Sequence, residues 1–142
     1  MQIKNNMRIK NVLFVLFFCS YSSFGQVNVE KWKVFEIAFS GYTNGNPFKE
    51  VKLLGCFIKD NDTISVRGFY DGEGLFKIRF MPQEEGKWIY VTTSNVKKLN
   101  NKKGSFVCTP SLKGNHGPVV VKDTFYFAYA DGSPHHSFGT TC

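Results

Sequence analysis

The amino-acid sequence predicts an all-β fold, an antiparallel β-sandwich, from three observations. The composition of 15 Phe, 13 Val, 13 Gly and 6 Tyr against 3 Ala and 7 Leu favours strands and turns over helices and coiled coils. Strand-like segments recur at intervals of about 8 to 14 residues, as in a sandwich. The length of 142 residues suits one domain and falls short of the roughly 250 residues of a (β/α)8 barrel.

Residues 1–25 have the layout of a secretory signal peptide. They contain basic but no acidic residues, continue with the apolar run 12–18, and end in small residues up to Gly25. The apolar run is far shorter than the ~20 residues of a membrane-spanning helix. We therefore expect cleavage after Gly25, export to the periplasm or the cell surface, and no membrane span in the mature chain. An uncut membrane anchor is the alternative.

Six segments after the leader have strand character. They are residues 35–39, 51–59, 63–70, 76–80, 87–93 and 104–109. The fourth has the clearest pattern, because Phe76, Ile78 and Phe80 alternate with two basic residues, as in a strand with one buried face. Two sheets of such strands bury their apolar faces against each other, which places residues 26–112 in one sandwich domain.

Glycines mark the turns between these strands. Gly72 and Gly74 follow Asp71 and can adopt the positive φ that a tight hairpin needs. Gly86 gives the same freedom to the turn after the fourth strand. We interpret all four residues as structural.

Two further side chains of this region have predicted structural roles. Arg79 lies on the outward face of its strand, and its expected partners are Asp71, Glu84 and Glu85. Trp88 is expected to cover the edge of the sandwich.

The sequence shows no catalytic, metal or cofactor motif. Glycosidases need two carboxyl groups across the scissile bond, but the acidic residues of the segment 71–85 sit at turns with no pocket implied. No Cys or His spacing is typical of zinc, and adjacent His135 and His136 would face opposite sides of a strand. We therefore expect no cofactor and no metal.

Some aromatic residues are candidates for carbohydrate contact, since a flat ring can bind the apolar face of a pyranose. The four candidates are Trp32, Trp88, Tyr42 and Tyr70. For Trp32 and Trp88 the main interpretation is packing in the core or at the edge of the sandwich, and contact with a sugar is the alternative.

A group of lysines surrounds the loop before the sixth strand. Its members are Lys97, Lys98, Lys102 and Lys103. We interpret the group as a solvated hairpin tip, with contact to an acidic glycan as the alternative. Nucleic acid is not an expected partner, because the chain is predicted to be exported and no stacking motif accompanies the lysines.

The cysteines give no disulfide framework. Cys19 would leave with the leader, so that Cys56, Cys108 and Cys142 remain. An odd number means at least one free thiol or an outside partner. Cys56 and Cys108 lie in strand-like segments, and a bridge between two sheets is one alternative.

The C-terminal part of the sequence does not fit the sandwich. Residues 113–118 read as a polar, Gly-rich linker, and residues 119–142 begin with three valines and continue with aromatic alternation up to Tyr129. A closed sandwich has little room for this second hairpin, which would leave an apolar patch of the kind that marks an interface. We expect the polypeptide to continue past Cys142.

Several segments occur in an order that resembles a known family. They are NPF (46–48), GFYDGEGLFKIRFMPQEEGKWIYVT (68–92), GSF (104–106), GPV (117–119) and FAYADGSPHHSFGTT (127–141). The family is the immunoglobulin-like N-terminal domain of unknown function in bacterial, often Bacteroidetes, glycoside hydrolases, where it precedes an apiosidase-like or cellulase-like (β/α)8 barrel. The resemblance covers about residues 29–142, and the second segment is its specific part.

The resemblance implies an immunoglobulin-like sandwich with a non-catalytic role. Such a domain would pack on and orient the barrel of a secreted glycoside hydrolase that acts on plant-type polysaccharide. The tail resembles the entry into the first barrel strand, so the catalytic acid pair would be missing and the chain by itself would be inactive. Two alternatives stay open: a carbohydrate-binding module, and a cell-surface protein-interaction domain that uses the tail as a docking strand.

Overall fold

The computed structural model of the protein describes residues 26–41, 44–136 and 139. Within these residues, ten strands and one short helix follow one another along the chain. They are β1 (Asn28–Glu30), β2 (Phe35–Ser40), α1 (Pro47–Glu50), β3 (Leu53–Lys59), β4 (Asp62–Arg67), β5 (Phe69–Gly72), β6 (Leu75–Phe80), β7 (Gly86–Ser94), β8 (Lys103–Thr109), β9 (Val119–Lys122) and β10 (Tyr126–Tyr129). The predicted signal peptide, Tyr42 and Cys142 lie outside the described residues.

Two sheets form the sandwich. The larger has the strand order β1-β8-β7-β3-β4, and the smaller has the order β2-β6-β5. Neighbouring strands are antiparallel except β1 and β8, which run parallel. Strands β9 and β10 form a separate antiparallel hairpin. The all-β sandwich predicted from the sequence is confirmed, and a hairpin does follow it.

Aromatic rings dominate the core between the two sheets. The buried side chains of this core are Leu53, Phe57, Phe76, Ile78, Phe80, Trp88, Leu99, Phe106 and Cys108. Phe57 of β3 stacks on Phe80 of β6, with ring centroids 4.1 Å apart and ring planes 11° from parallel. Trp88 of β7 contacts the ring of Phe80 edge-on at 5.0 Å. Because these rings join strands of both sheets, their burial is the main term that holds the sandwich together.

The segment 63–70, predicted as one strand, is two strands in different sheets. Strand β4 pairs with β3 in the larger sheet, and β5 pairs with β6 in the smaller one. The chain crosses between the sheets at Gly68, whose amide donates to the Leu53 carbonyl at 2.9 Å. A Cβ at this position would lie 2.6 Å from Leu53 Cδ2 and 2.9 Å from the Lys77 carbonyl oxygen. A glycine therefore allows the backbone to pass close to both sheets.

Two short elements have no counterpart in the sequence prediction. Strand β1 extends the larger sheet by parallel pairing with β8, with Val29 opposite Cys108. Helix α1 is one turn long and begins after Asn46, whose side chain accepts a hydrogen bond from the Phe48 amide at 3.2 Å. Pro47 fits the first helical position, where its missing N–H costs nothing. Neither element is long enough to show a periodic sequence pattern.

The expected ion pairs of Arg79 are wrong, although its outward orientation is correct. The pairing of β2 with β6 places Glu36 directly opposite Arg79, and Arg79 Nε donates to Glu36 Oε2 at 2.6 Å. Opposite residues on one face of an antiparallel pair are the nearest partners available. The three expected partners form ion pairs with lysines instead. These acidic residues are Asp71, Glu84 and Glu85.

No disulfide joins Cys56 to Cys108, and both thiols are free. The two residues lie in β3 and β8 of the same sheet, with β7 between them, so that the two strands alone are about 10 Å apart. Cys56 is opposite Val91 of β7 and Cys108 is opposite Gly86, which adds a further offset along the strands. A disulfide requires Cα atoms within roughly 7 Å. The side chain of Cys108 is in the core, where burial raises the pKa of its thiol and keeps it unreactive.

Candidate functional site

The β9–β10 hairpin is the most unusual surface of the described residues. Its two strands pair from Val119 opposite Tyr129 to Lys122 opposite Tyr126. The connecting loop holds Asp123 at φ 50° and Thr124 at φ 71°. A β-branched residue in the left-handed region is strained. This strained loop projects Phe125, which is 86% exposed, from the tip of the hairpin.

Both faces of the hairpin carry apolar side chains. Opposite residues share a face, so Val121 and Phe127 lie together on one side, and Val120 and Ala128 lie together on the other. The exposed members are Val119, Val120, Val121, Phe125, Tyr126 and Phe127. An antiparallel hairpin at a protein surface ordinarily has one polar face. Apolar residues on both faces indicate a hairpin that another surface covers.

A cleft lies beside β10 on the hairpin. Its volume is about 350 Å³, and its lining includes Tyr126, Phe127, Pro134 and His135. The imidazole of His135 packs edge-on against Tyr129, with ring centroids 4.9 Å apart. Among the described residues, the buried Nδ1 atom of His135 has no hydrogen-bond partner. A buried polar atom of this kind ordinarily has a partner, which agrees with a surface that is completed by another group.

Three polar side chains close the turn after β10. Asp131 Oδ2 and Ser133 Oγ both lie near His116 Nδ1, at 2.7 and 3.2 Å. A nucleophilic triad places serine and carboxylate at opposite nitrogens of the imidazole, so this cluster does not form one. Hydrogen bonds from Ser133 and His116 lower the pKa of Asp131 to about 2. The cluster therefore ties the predicted linker to the hairpin.

Two of the aromatic candidates for carbohydrate contact, Trp88 and Tyr70, pack against other rings of the described residues. Trp88 is 2% exposed and its Nε1 donates to the Glu84 carbonyl at 2.9 Å, so it is a core residue with no accessible face. Tyr70 packs between Phe48 and Phe76, with centroids 5.0 Å from each. Packing, the main interpretation of Trp88, is what the structure shows, but the side chain lies in the core and the expected position at the edge of the sandwich is wrong.

Trp32 is half-buried at the junction between the sandwich and the hairpin. The ammonium group of Lys31 lies 4.8 Å from the centre of its ring. The backbone of Gly117 lies against the same ring, because a Cβ there would be 2.6 Å from Trp32 Cδ2. The ring is therefore engaged in contacts within the chain.

Three of the acidic residues of the turns are bound by three different lysines. Asp71 pairs with Lys77, and Glu84 accepts from Lys59 Nζ at 2.8 Å. Glu85 Oε1 lies 3.8 Å from Lys31 Nζ. No group of three or more His, Cys, Asp or Glu side chains within the described residues could hold a metal ion. The predicted lysine group lies exposed around the β7–β8 loop.

The segment predicted as a linker makes contacts that the sequence did not reveal. Asn115 Nδ2 donates to Glu30 Oε1 at 2.7 Å and to the Lys31 carbonyl at 3.0 Å. The Leu112 amide donates to the same carboxylate oxygen at 2.9 Å. These partners are more than 80 residues apart in sequence, and no local pattern signals them.

No helix in the described part of the chain has the length and apolar character to span a membrane. The single helix there, α1, has four residues.

Comparisons with known proteins show a family and a structure to which this chain is similar. Residues 28–95 match a family described as a domain of unknown function, DUF5060. The chain is also similar to the crystal structure of "a putative glycoside hydrolase from Bacteroides vulgatus ATCC 8482", with a TM-score of 0.77 and 44% sequence identity over 82% of this chain. This chain spans only 22% of the length of that protein. The comparison with curated proteins gives no match. The structural similarity therefore concerns one domain-sized part of a longer protein.

Proposed function

We propose that this chain is a non-catalytic accessory domain of an exported glycoside hydrolase. The domain packs through its β9–β10 hairpin on a catalytic (β/α)8 barrel of the same polypeptide and orients it. The substrate class is plant-type polysaccharide.

The single observation that carries this proposal is the hairpin with two apolar faces. Its exposed side chains include Phe125 at the tip and Val121, which is 65% exposed. Covering such side chains yields about 25 cal/mol for each Å² of apolar surface removed from water. Large exposed apolar patches mark interaction surfaces. The 22% share of the Bacteroides vulgatus protein that this chain spans supports a catalytic domain as the covering group.

The cleft beside β10 fits the same interpretation. A residue of the covering domain would enter the cleft, and a hydrogen bond from that domain would satisfy His135 Nδ1, which is buried and unpartnered within the described residues. The interface would then have the usual apolar centre with a few polar contacts.

The described carboxylates support a non-catalytic role. A glycosidase acid must protonate the leaving oxygen while a second carboxylate acts at a set separation from it. Here Asp71, Glu84 and Glu85 each form an ion pair with a different lysine, so these three carboxylates are engaged in separate surface contacts.

Hydrolysis and gene context together test the proposal. The purified chain should release no reducing sugar from pectin, xylan or glucan. The genomic reading frame that contains it should encode alternating strands and helices over roughly 250 further residues, and the product of that whole frame should release sugar. Sugar release by the chain alone, or a frame with no barrel, would contradict the proposal.

Hydrogen exchange tests the hairpin as the docking surface. In the product of the whole reading frame, the amides of β9 should exchange more slowly than in the isolated chain. The edge strand β4, on the far side of the larger sheet, is the internal control and should exchange at the same rate in both. Equal exchange rates of the β9 amides in the two proteins would show that the hairpin is not part of the interface.

A further inference from the structure

We infer that residues 111–118 form a rigid joint, in which Glu30 is the positioning residue that fixes the direction of the hairpin relative to the sandwich. The inference rests on contacts within this chain alone. It therefore stands or falls independently of the proposed function.

Glu30 ends β1 and gathers hydrogen bonds from the joint. Its Oε1 accepts from the Leu112 amide at 2.9 Å and from Asn115 Nδ2 at 2.7 Å. Its Oε2 pairs with Lys33 Nζ at 2.6 Å, and the side chain is 8% exposed. A carboxylate with this many donors in a nearly closed site is held in one orientation. The pKa of Glu30 is correspondingly lowered to about 2, chiefly by Lys33 and then by Leu112 and Asn115.

Asn115 extends the contact from β1 into the joint. Its amide group also donates to the Lys31 carbonyl at 3.0 Å, while its Oδ1 accepts from the Gly117 amide at 3.2 Å. One side chain therefore links the end of β1 to the residues just before β9. A side chain that bridges backbone groups on two segments restricts both.

Trp32 provides the apolar part of the joint. Its amide donates to the Pro82 carbonyl at 3.0 Å, which anchors it to the sandwich. Gly117 adopts φ +78°, and its backbone lies so close to the indole that a Cβ would be 2.6 Å from Trp32 Cδ2 and 2.9 Å from Ala130 Cβ. The indole and the glycine thus form a close contact between the sandwich and the start of the hairpin.

The other end of the joint is bound to the turn after β10. The Ala130 amide donates to the Pro118 carbonyl at 2.9 Å, and the Asp131 amide donates to the His116 carbonyl at 3.2 Å. The His116 ring also contacts Asp131. The joint is therefore attached to the sandwich at one end and to the hairpin at the other, unlike a flexible Gly-rich linker, whose ends move independently.

Nuclear magnetic resonance relaxation of the purified chain tests the joint. The backbone order parameters of residues 112–117 should equal those of the strands, about 0.85. Glu30→Ala should lower them below about 0.6, and the residual dipolar couplings of sandwich and hairpin should no longer fit one alignment tensor. Glu30→Gln keeps the Oε1 acceptor and should preserve most of the order.

Glu36→Ala is the matched control for Glu30→Ala. Glu36 pairs with Lys77 and Arg79 on the sandwich surface, away from the joint. This variant should leave both the order parameters and the common tensor unchanged. Low order in the unmodified joint, a common tensor in Glu30→Ala, or loss of all sandwich signals in Glu30→Ala would each overturn the positioning role of Glu30.

Two glycines of the joint provide a second test that does not depend on Glu30. Gly117 and Gly114 both have positive φ, but a Cβ at Gly114 meets nothing within 4 Å. Gly117→Ala should shift the Trp32 indole resonance and separate the two alignment tensors, whereas Gly114→Ala, with similar backbone strain, should do neither. Equal effects from both variants would mean that backbone strain, and not the contact with Trp32, causes the change. That outcome would contradict the inference.

Discussion

The sandwich and the hairpin are built from the same kinds of residues but differ in how much of their apolar surface is covered. In the sandwich, aromatic rings from two sheets cover one another, and Phe57 and Ile78 have no exposed surface. In the hairpin, Phe127 is 54% exposed and Ala128 is the buried apolar residue. The sandwich therefore covers its apolar rings with its own contacts, whereas the hairpin has apolar surface that the described residues leave uncovered.

Sequence patterns reflect this difference. Strand β6 alternates apolar and basic residues, because one face meets the core and the other meets water. Strand β9 begins with three consecutive valines, Val119 to Val121, all exposed here. A continuous apolar run is typical of strands that are covered on both faces. The comparison teaches that the composition of a strand indicates whether one of its faces or both are to be covered.

The largest expected effect is a loss of unfolding free energy from a substitution in the sandwich core, with a substitution in the hairpin as the reference. Phe57→Ala removes the ring that stacks on Phe80 at 4.1 Å and should lower the free energy of unfolding by about 3–5 kcal/mol, because a cavity remains. Urea denaturation measures this change. Phe127→Ala, the matched substitution in the hairpin, should change the same free energy by less than about 0.5 kcal/mol. Equal losses would show that the hairpin belongs to the sandwich core.

A smaller effect should come from a buried hydroxyl in the sandwich. Thr92 is buried, and its Oγ1 donates to the Leu99 carbonyl at 2.5 Å and accepts from the Lys102 amide at 2.9 Å. Thr92→Val leaves both groups without this partner and should cost about 1–3 kcal/mol in urea denaturation. The exposed neighbour Thr93→Val is the control and should be near neutral. A neutral Thr92→Val would contradict the assigned bonds.

Acid should loosen the junction between the two regions before it affects the core. The folded pKa of Glu30 is lowered from 4.5 to about 2, so its stabilising contribution is complete above pH 4.5 and is lost as the pH falls through about 2. The pKa of Asp131 is lowered from 3.8 to about 2, so its stabilising contribution is likewise lost as the pH falls. Carboxyl carbon resonances measure both titrations. Lys33→Ala should raise the pKa of Glu30, and an unchanged pKa would contradict the ion pair.

The smallest effect on stability should come from the tip of the hairpin. Phe125→Ser replaces a ring that is 86% exposed and should change the free energy of unfolding by less than about 0.5 kcal/mol. It should nevertheless reduce the binding of a hydrophobic fluorescent dye to the isolated chain, because the apolar patch becomes smaller. Replacement of exposed Lys98 by Ser controls for a general surface effect. Unaltered dye binding by Phe125→Ser would show that Phe125 is not part of the apolar patch that binds the dye.

Much of the fold could be predicted because local periodicity reports one-sided burial. The alternation of Phe76, Ile78 and Phe80 identified β6 and its buried face, and the glycines Gly72, Gly74 and Gly86 do occupy positive-φ turns. The aromatic hairpin could also be predicted, since its apolar run exceeds what a closed sandwich can bury. These features depend on residues close together in sequence.

Features that depend on distant partners could not be predicted. The sheet change at Gly68 follows from its approach to Leu53 and Lys77, and the partner of Arg79 follows from the register of β2 on β6. The contacts of Glu30 with the joint connect β1 to residues more than 80 positions away in sequence. In each case the decisive contact joins segments whose relative position the local sequence does not encode.

The parallel pairing of β1 with β8 has a consequence for how the domain folds. The first strand of the sandwich finds its partner only in the last, with Glu30 opposite Thr109. Closing the loop from Glu30 to Thr109 is slow compared with forming the hairpins that lie between these two residues. We therefore expect the larger sheet to keep an open edge at β8 until its other strands have paired, so that β1 is the last strand of the sandwich to dock and the joint is assembled after it.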